Sequence, residues 1–340
     1  MDLRFTELMP AAQIVTEECM QIKPEEKVLV VTDTRIPDYF GTEPLVQALT
    51  ASLKLIGCDP CLMTWTARAQ HGMHIPALAE DTLMAADAVI CVNTGHFIQD
   101  PILWSAVKQG ARIMVLPGGY NVERVDDMIY RAFPKTKAEY EEIRDLTIRI
   151  GNLFIGGRKT VHVTSQKGTD VTFDISDDFM QSVCSGECFQ KGRFSSIPAG
   201  QLAFGVVPGT AKGTIVIDAS IHPIKRILET PITFQVADGN FTSIDGGIEA
   251  REFREVVDKC PYPGKFNIAE FGMGCNPITK IIGNSFEDEC YYGSGHIGFG
   301  SNTSFGGDIF TDNWHCDGVF LHATVEIDGK VICKDGEFIF

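Results

Sequence analysis

Residues 312–320, DNWHCDGVF, set His315 and Asp317 two positions apart inside an apolar run. In a strand, alternate side chains leave the same face. The imidazole and the carboxylate would then point together, and Cys316 would point away. Two further glycine-flanked segments carry the same kind of signal. In NIAEFGMGCNP (267–277), Glu270 is the only charged residue of an apolar stretch. A lone buried carboxylate is costly unless it is paired or bound to a metal. In GSGHIGFGSN (293–302), His296 sits among small residues that allow close approach to the backbone. Each residue alone reads equally well as a core polar group satisfied by hydrogen bonds. Together, Glu270, His296, His315 and Asp317 point to a site for Zn, Mn or Fe(II).

His96, in VNTGHFIQDP (92–101), is a second candidate. It follows the third predicted strand, and open α/β sheets bind ligands at the carboxyl ends of their strands. A histidine there can act as general acid or base, since it titrates near neutrality. His71 and His74, in HGMH, could line the same cleft. Cys58 and Cys61 have the spacing of a redox pair, but they join a helix to a strand and read as packing. Cys184 and Cys188 have no matching second pair that would make a zinc site. The first strand runs into TDTRIPDYFG, so neither a dinucleotide turn nor a phosphate-cradling loop is present there.

The elements that must position these residues fall into two textures. From KVLVVT (27–32) to ARIMVLPGG (111–119), short branched apolar runs alternate with helical periods, in the order β-α-β-α-β-α-β. That predicts a doubly wound parallel sheet with helices on both faces. A long amphipathic helix follows, and the pair Gly156-Gly157 marks the expected boundary. Residues 1–155 are read as the α/β domain and 156–340 as a mostly antiparallel α+β domain holding the metal site. The second part consists of short alternating strands with Asp-Gly turns.

With 340 residues, two domains are expected. The net charge is −16, with 29 basic against 45 acidic residues and no basic cluster. Nucleic acid and anionic membrane are therefore poor partners. No apolar stretch is long enough to span a bilayer, and the N-terminus lacks a secretory pattern. Eleven cysteines, mostly single in apolar runs, fit a reducing compartment, so a cytoplasmic location is expected.

At these residues the sequence resembles the aminopeptidase T superfamily of metallo-aminopeptidases, and equally its ring-opening branch, the 2,5-dihydroxypyridine 5,6-dioxygenases. The resemblance extends over GTD (168–170), IPAGQLAFGVVPGTAKGTIVID (197–218) and the three segments above. In the peptidases it implies two metals held by two Glu, two His and one Asp. Glu270, His296, His315 and Asp317 match four of these. Gln201 stands where the first Glu belongs, and Thr303 stands where the peptidases carry a tyrosine. In the dioxygenases it implies one iron held by two His and one Asp. His315 and Asp317 match two of those ligands, and Glu270 takes the place of the other histidine. The acid/base histidine of that branch matches His96.

The resulting expectation is a single-metal enzyme with Glu270, His315 and Asp317 as ligands. His296 would be a fourth ligand or would orient a carbonyl, and His96 would shuttle a proton. The expected reaction is hydrolytic opening of a small cyclic polar carbonyl compound by metal-activated water. The alternatives are an Fe(II) ring-cleaving dioxygenase, an aminopeptidase and a non-catalytic binding protein. A homo-oligomer is implied by the resemblance alone.

Overall fold

The computed structural model describes residues 3–34, 42–66, 74–93, 100–117, 130–312 and 314–339. The chain divides into two compact units. One holds residues 1–144 and 184–199, the other 145–183 and 200–340. The chain therefore crosses between them three times.

The first unit is built on a five-stranded parallel sheet. Strands β1 (Val28–Asp33), β2 (Cys61–Trp65), β3 (Ala88–Asn93) and β4 (Arg112–Pro117) lie in the order β2-β1-β3-β4, and the short strand Phe194–Ser196 extends the β4 edge. β1 and β3 are buried along their whole length, as strands covered on both faces must be. The helices between them start and stop where their sequence says. Helix Glu43–Ile56 ends at Gly57, which takes the left-handed conformation its φ of 98° requires. Helix Pro101–Gln109 begins with Pro101 and is capped by Asp100, whose carboxylate accepts the Ile102 N–H. The N-terminal helix Leu3–Gln13, with its π-helical extension Ile14–Cys19, was not anticipated, because Pro10 interrupts the apolar period that would mark it.

All eleven cysteines are free thiols, and only Cys61 is exposed. Cys58 packs as expected, donating its S–H to the Lys23 carbonyl. Cys61 does not, because β2 is the sheet's edge strand and its side chain faces outward. No helix among the described residues is long and apolar enough to cross a membrane.

The second unit is a mixed structure of two antiparallel sheets, one of eight strands and one of six. The four central strands of the six-stranded sheet are β5 (Gln201–Gly205), β6 (Ile268–Gly274), β7 (Gly295–Gly300) and β8 (His315–Phe320), in the order β8-β7-β6-β5. One face of these strands is apolar: Leu202, Phe204, Phe271, Met273, Ile297, Phe299, Cys316 and Phe320 enter a continuous core. Phe173, Ile215 and Phe234 of the eight-stranded sheet close that core, with Phe271 and Phe173 in ring contact at 5.1 Å. The opposite face of the same four strands is where every polar residue singled out in them projects.

Candidate metal centre

Strand register places the polar residues side by side. Gly298 of β7 pairs with Asp317 of β8, Gly300 pairs with His315, and Gly272 of β6 pairs with His296. A register irregularity between Ile268 and Glu270 turns Glu270 into this row. The alternation in β8 sends His315 and Asp317 to one face, while Cys316 and Phe320 enter the core.

Glu270, His315 and Asp317 each offer a ligand atom, and these atoms all lie within 4.8 Å of one another. His315 Nε2 is 3.0 Å from Glu270 Oε2 and 3.1 Å from Asp317 Oδ1. Its Nδ1 lies 2.8 Å from the Ser301 carbonyl. A carbonyl only accepts, so Nδ1 carries the proton, and the neutral imidazole turns its Nε2 lone pair toward two carboxylates. Three electron-rich atoms facing each other need a cation between them. Either Nε2 takes a second proton or a metal ion takes its place. The donor set therefore fits a divalent metal, with one imidazole nitrogen and two carboxylates.

The glycines make this closeness possible. A Cβ on Gly298 would stand 2.7 Å from both Glu270 Cβ and His315 Nε2, and 2.9 Å from Asp317 Oδ1. A Cβ on Gly272 would collide with the His296 ring, and one on Gly274 with the backbone carbonyl of Tyr291. Gly298 thus clears the space between the three ligand groups, while Gly272 and Gly274 let the His296 ring and the Tyr291 carbonyl approach β6 closely.

His296 belongs to the cluster but not to the trio. It is fully buried, and its Nε2 is 3.1 Å from Glu270 Oε1, the oxygen turned away from His315. Its Nδ1 is buried with no hydrogen-bond partner. The electrostatics follow from the crowding. Burial by itself would raise the Glu270 carboxyl, but the imidazoles of His296 and His315 outweigh it and hold the group down at about 2. Burial would lower His315, yet the charge of Asp317 and the hydrogen bonds to Asp317 and Glu270 push it well above its ordinary value.

Two residues near the trio were missed in the sequence. Glu289 is buried and accepts a hydrogen bond from the Gln201 amide at 2.5 Å. Burial raises its carboxyl well above the usual range, and the nearby charges of Asp317 and Glu270 add to this. It sits in NSFEDEC, where three consecutive acids read as a solvated run; Glu287, Asp288 and Glu289 are all buried. The absence of any Lys or Arg in that run was the available signal. His222 is half-buried, and its backbone N–H donates to the Asp317 backbone carbonyl at 2.9 Å. Burial lowers its imidazole, and the charge of Asp317 opposes that. Nothing in SIHPIK marks it, because only the pairing of Ser220–Ile221 with β8 brings it near.

The remaining expectations are placed as follows. Thr303 sits beside the site's rim, its hydroxyl 2.9 Å from Ser301 Oγ. His74 is exposed, 3.5 Å from Asp100. His96 and His71 lie outside the described residues.

A family model described as 2,5-dihydroxypyridine 5,6-dioxygenase matches residues 8–340. A 2,5-dihydroxypyridine 5,6-dioxygenase of Pseudomonas putida is 24% identical over 272 residues, which is 77% of this chain and 73% of that protein. The solved structure of 2,5-dihydroxypyridine dioxygenase from Pseudomonas putida superposes with a TM-score of 0.81 at 19% identity, covering 98% of this chain and 97% of the other. Wild-type AmpT from Thermus thermophilus superposes with a TM-score of 0.66 at 13% identity, covering 98% and 99%. A ring-cleaving family thus stands where the sequence alone favoured hydrolysis, and the peptidase branch shares only the fold. Spanned almost end to end by the family model, the chain belongs to the 2,5-dihydroxypyridine 5,6-dioxygenase (NicX) family.

Proposed function

We propose that the chain is a metal-dependent dioxygenase that opens the ring of a small hydroxylated nitrogen heterocycle. The observation that carries this reading is His315 Nε2, fixed as an acceptor by Ser301 and facing the Glu270 and Asp317 carboxylates within 4.8 Å. It is joined to membership of a family whose name describes ring cleavage. When bound, a redox-active divalent ion such as Fe(II) supplies the one-electron chemistry that lets molecular oxygen react with a closed-shell ring.

The protein's own residues do the rest. Glu270, His315 and Asp317 hold the ion. Ser301 keeps His315 in the tautomer that can ligate, and His296 holds the second oxygen of Glu270 so that the first faces inward. His96 is the proposed acid/base, moving a proton to or from the ring hydroxyl. A carboxylate in place of a second histidine makes the donor set harder and more negative than two imidazoles and one carboxylate, which suits Fe(II) or Mn(II).

The Glu270 carboxylate also favours a second reading, hydrolytic opening by metal-activated water. One experiment separates the two. The protein is purified without oxygen, loaded with Fe(II), and given 2,5-dihydroxypyridine in an oxygen-electrode cell. The expected outcome is one O2 consumed per ring opened and no turnover under nitrogen. Undiminished ring opening under nitrogen would establish the hydrolase.

A further inference from the structure

The face of β5–β8 that carries the trio holds one more pair of polar side chains. Leu202 and Phe204 of β5 enter the core, so Gln201 projects to the opposite face, beside Gly274 of β6 with which it pairs. Glu270 lies on that same face, four residues earlier in β6. Gly274 has no side chain, and a Cβ there would collide with the backbone carbonyls of Cys290 and Tyr291. The chain after the helix Ser285–Asp288 therefore rests directly on β6. That seats Glu289 over the site, with its Oε2 accepting from the Gln201 amide at 2.5 Å.

This bond fixes which oxygen of Glu289 can carry a proton. An amide N–H only donates, so Oε2 is an acceptor and a proton on the carboxyl sits on Oε1. Among the described residues, Oε1 has no hydrogen-bond partner and Glu289 has no ion pair. Its surroundings are acidic. Glu287 and Asp288 precede it and are fully buried, and Asp317 and Glu270 are near enough for their charges to act on it. His315 opposes them more weakly. A carboxyl only 7% exposed among carboxylates keeps its proton. A divalent ion held by the trio does not reverse this, because the charges of Glu270 and Asp317 offset its own. Glu289 is thus a neutral acid whose O–H is free to donate, beside a metal site lined by acceptors.

We propose that Glu289 is a second anchor for the substrate at the metal centre, its carboxyl O–H donating to the ring oxygen that points away from the metal. Gln201 is the residue that positions it. This deepens the ring-opening reading above and rests on it. In a ring with oxygens at positions 2 and 5, the two oxygens lie on opposite sides, so one faces the ion while the other meets Glu289. The arrangement also gives Gln201 a purpose. A carboxylate at that position could not donate to Glu289 and would repel any charge that formed on it.

The test is calorimetric titration of the Fe(II)-loaded protein under argon with two compounds. One is 2,5-dihydroxypyridine; the other is 3-hydroxypyridine, which keeps one hydroxyl and the nitrogen but lacks the opposite oxygen. Glu289→Leu should weaken 2,5-dihydroxypyridine about tenfold or more and leave 3-hydroxypyridine unchanged. Glu289→Gln, whose amide can still donate, should regain most of that loss. All three proteins should keep one equivalent of metal by elemental analysis. Infrared difference spectra of wild type against Glu289→Gln give a readout that does not need the leucine variant to fold. The stretch of a protonated carboxyl should be present in wild type and should shift on adding 2,5-dihydroxypyridine but not 3-hydroxypyridine. The proposal is overturned if Glu289→Leu weakens both compounds alike, which would mean that the residue serves the fold. It is equally overturned if Glu289→Gln binds as poorly as Glu289→Leu, or if no carboxyl stretch responds to the ligand. Failure of the ring-opening reading looks different: wild type itself would bind neither compound, and the anchor would fall with it.

Discussion

His315 shows how much chemistry one backbone contact decides. The Ser301 carbonyl assigns the proton to Nδ1, and that alone turns Nε2 into a donor for a metal. Gly298 is as necessary as any ligand, since a methyl group there would occupy the space between Glu270, His315 and Asp317. Gly298→Ala should therefore fold and yet lose bound metal, measured by elemental analysis after Fe(II) loading and desalting. His315→Ala should lose metal and activity together. Retention of one equivalent of metal in both variants would sink the assigned centre. His96, if it moves a proton without ligating, gives a different pattern. His96→Ala should keep its metal and lower kcat by on the order of 10²–10⁴. Loss of metal in His96→Ala would reassign it as a ligand.

Among the elements, the turn following β6 is the support for the site's far side. Asp288, at the end of the short helix Ser285–Asp288, accepts from Ser220 Oγ at 2.6 Å, from Ile282 N–H at 2.7 Å and from Gly283 N–H at 2.9 Å. It thereby ties the segment carrying Glu289 to the strand that pairs with β8. Burial raises its carboxyl to about 7 from 3.8, against the opposing pull of those hydrogen bonds. The folded chain thus keeps a proton there that the unfolded chain has released, and stability from this group falls as pH rises from about 4 to about 7. Asp288→Asn removes that titration. The stability of the wild type relative to Asp288→Asn should decline across this window, by a few kcal/mol if the full shift is expressed. Urea unfolding of both proteins at several pH values measures it, and parallel curves would show that Asp288 ionises normally.

For the whole molecule, a ligand that binds only the folded state stabilises it by mass action. At a free metal concentration of 100 times Kd this amounts to about 2.7 kcal/mol. Chelation should therefore lower the melting temperature of the protein, Fe(II) or Mn(II) should restore it, and His315→Ala should show no metal-dependent shift. Equal shifts in wild type and variant would place the binding elsewhere. The charge of −16 disfavours polyanionic partners such as nucleic acid.

The order of strands and helices in the first unit was legible from the sequence, because buried parallel strands read as branched apolar runs and the helices between them carry their own stops at Gly57 and Gly110. The pairing of His315 with Asp317 was legible for the same reason, since strand alternation is a local rule. So was the glycine dress of Glu270 and His296, although not its purpose. Only the tertiary structure decided that His296 bonds the outer oxygen of Glu270 and stands apart from the trio, because this depends on the register of β6 against β7 and the irregularity at Glu270. It also brought Glu289 and His222 to the site from segments that look like a solvated acidic run and an ordinary turn. Local sequence fixes which face a side chain leaves. Which side chains meet on that face is set by pairing between strands far apart in the chain, and that is decided by the core packed beneath them.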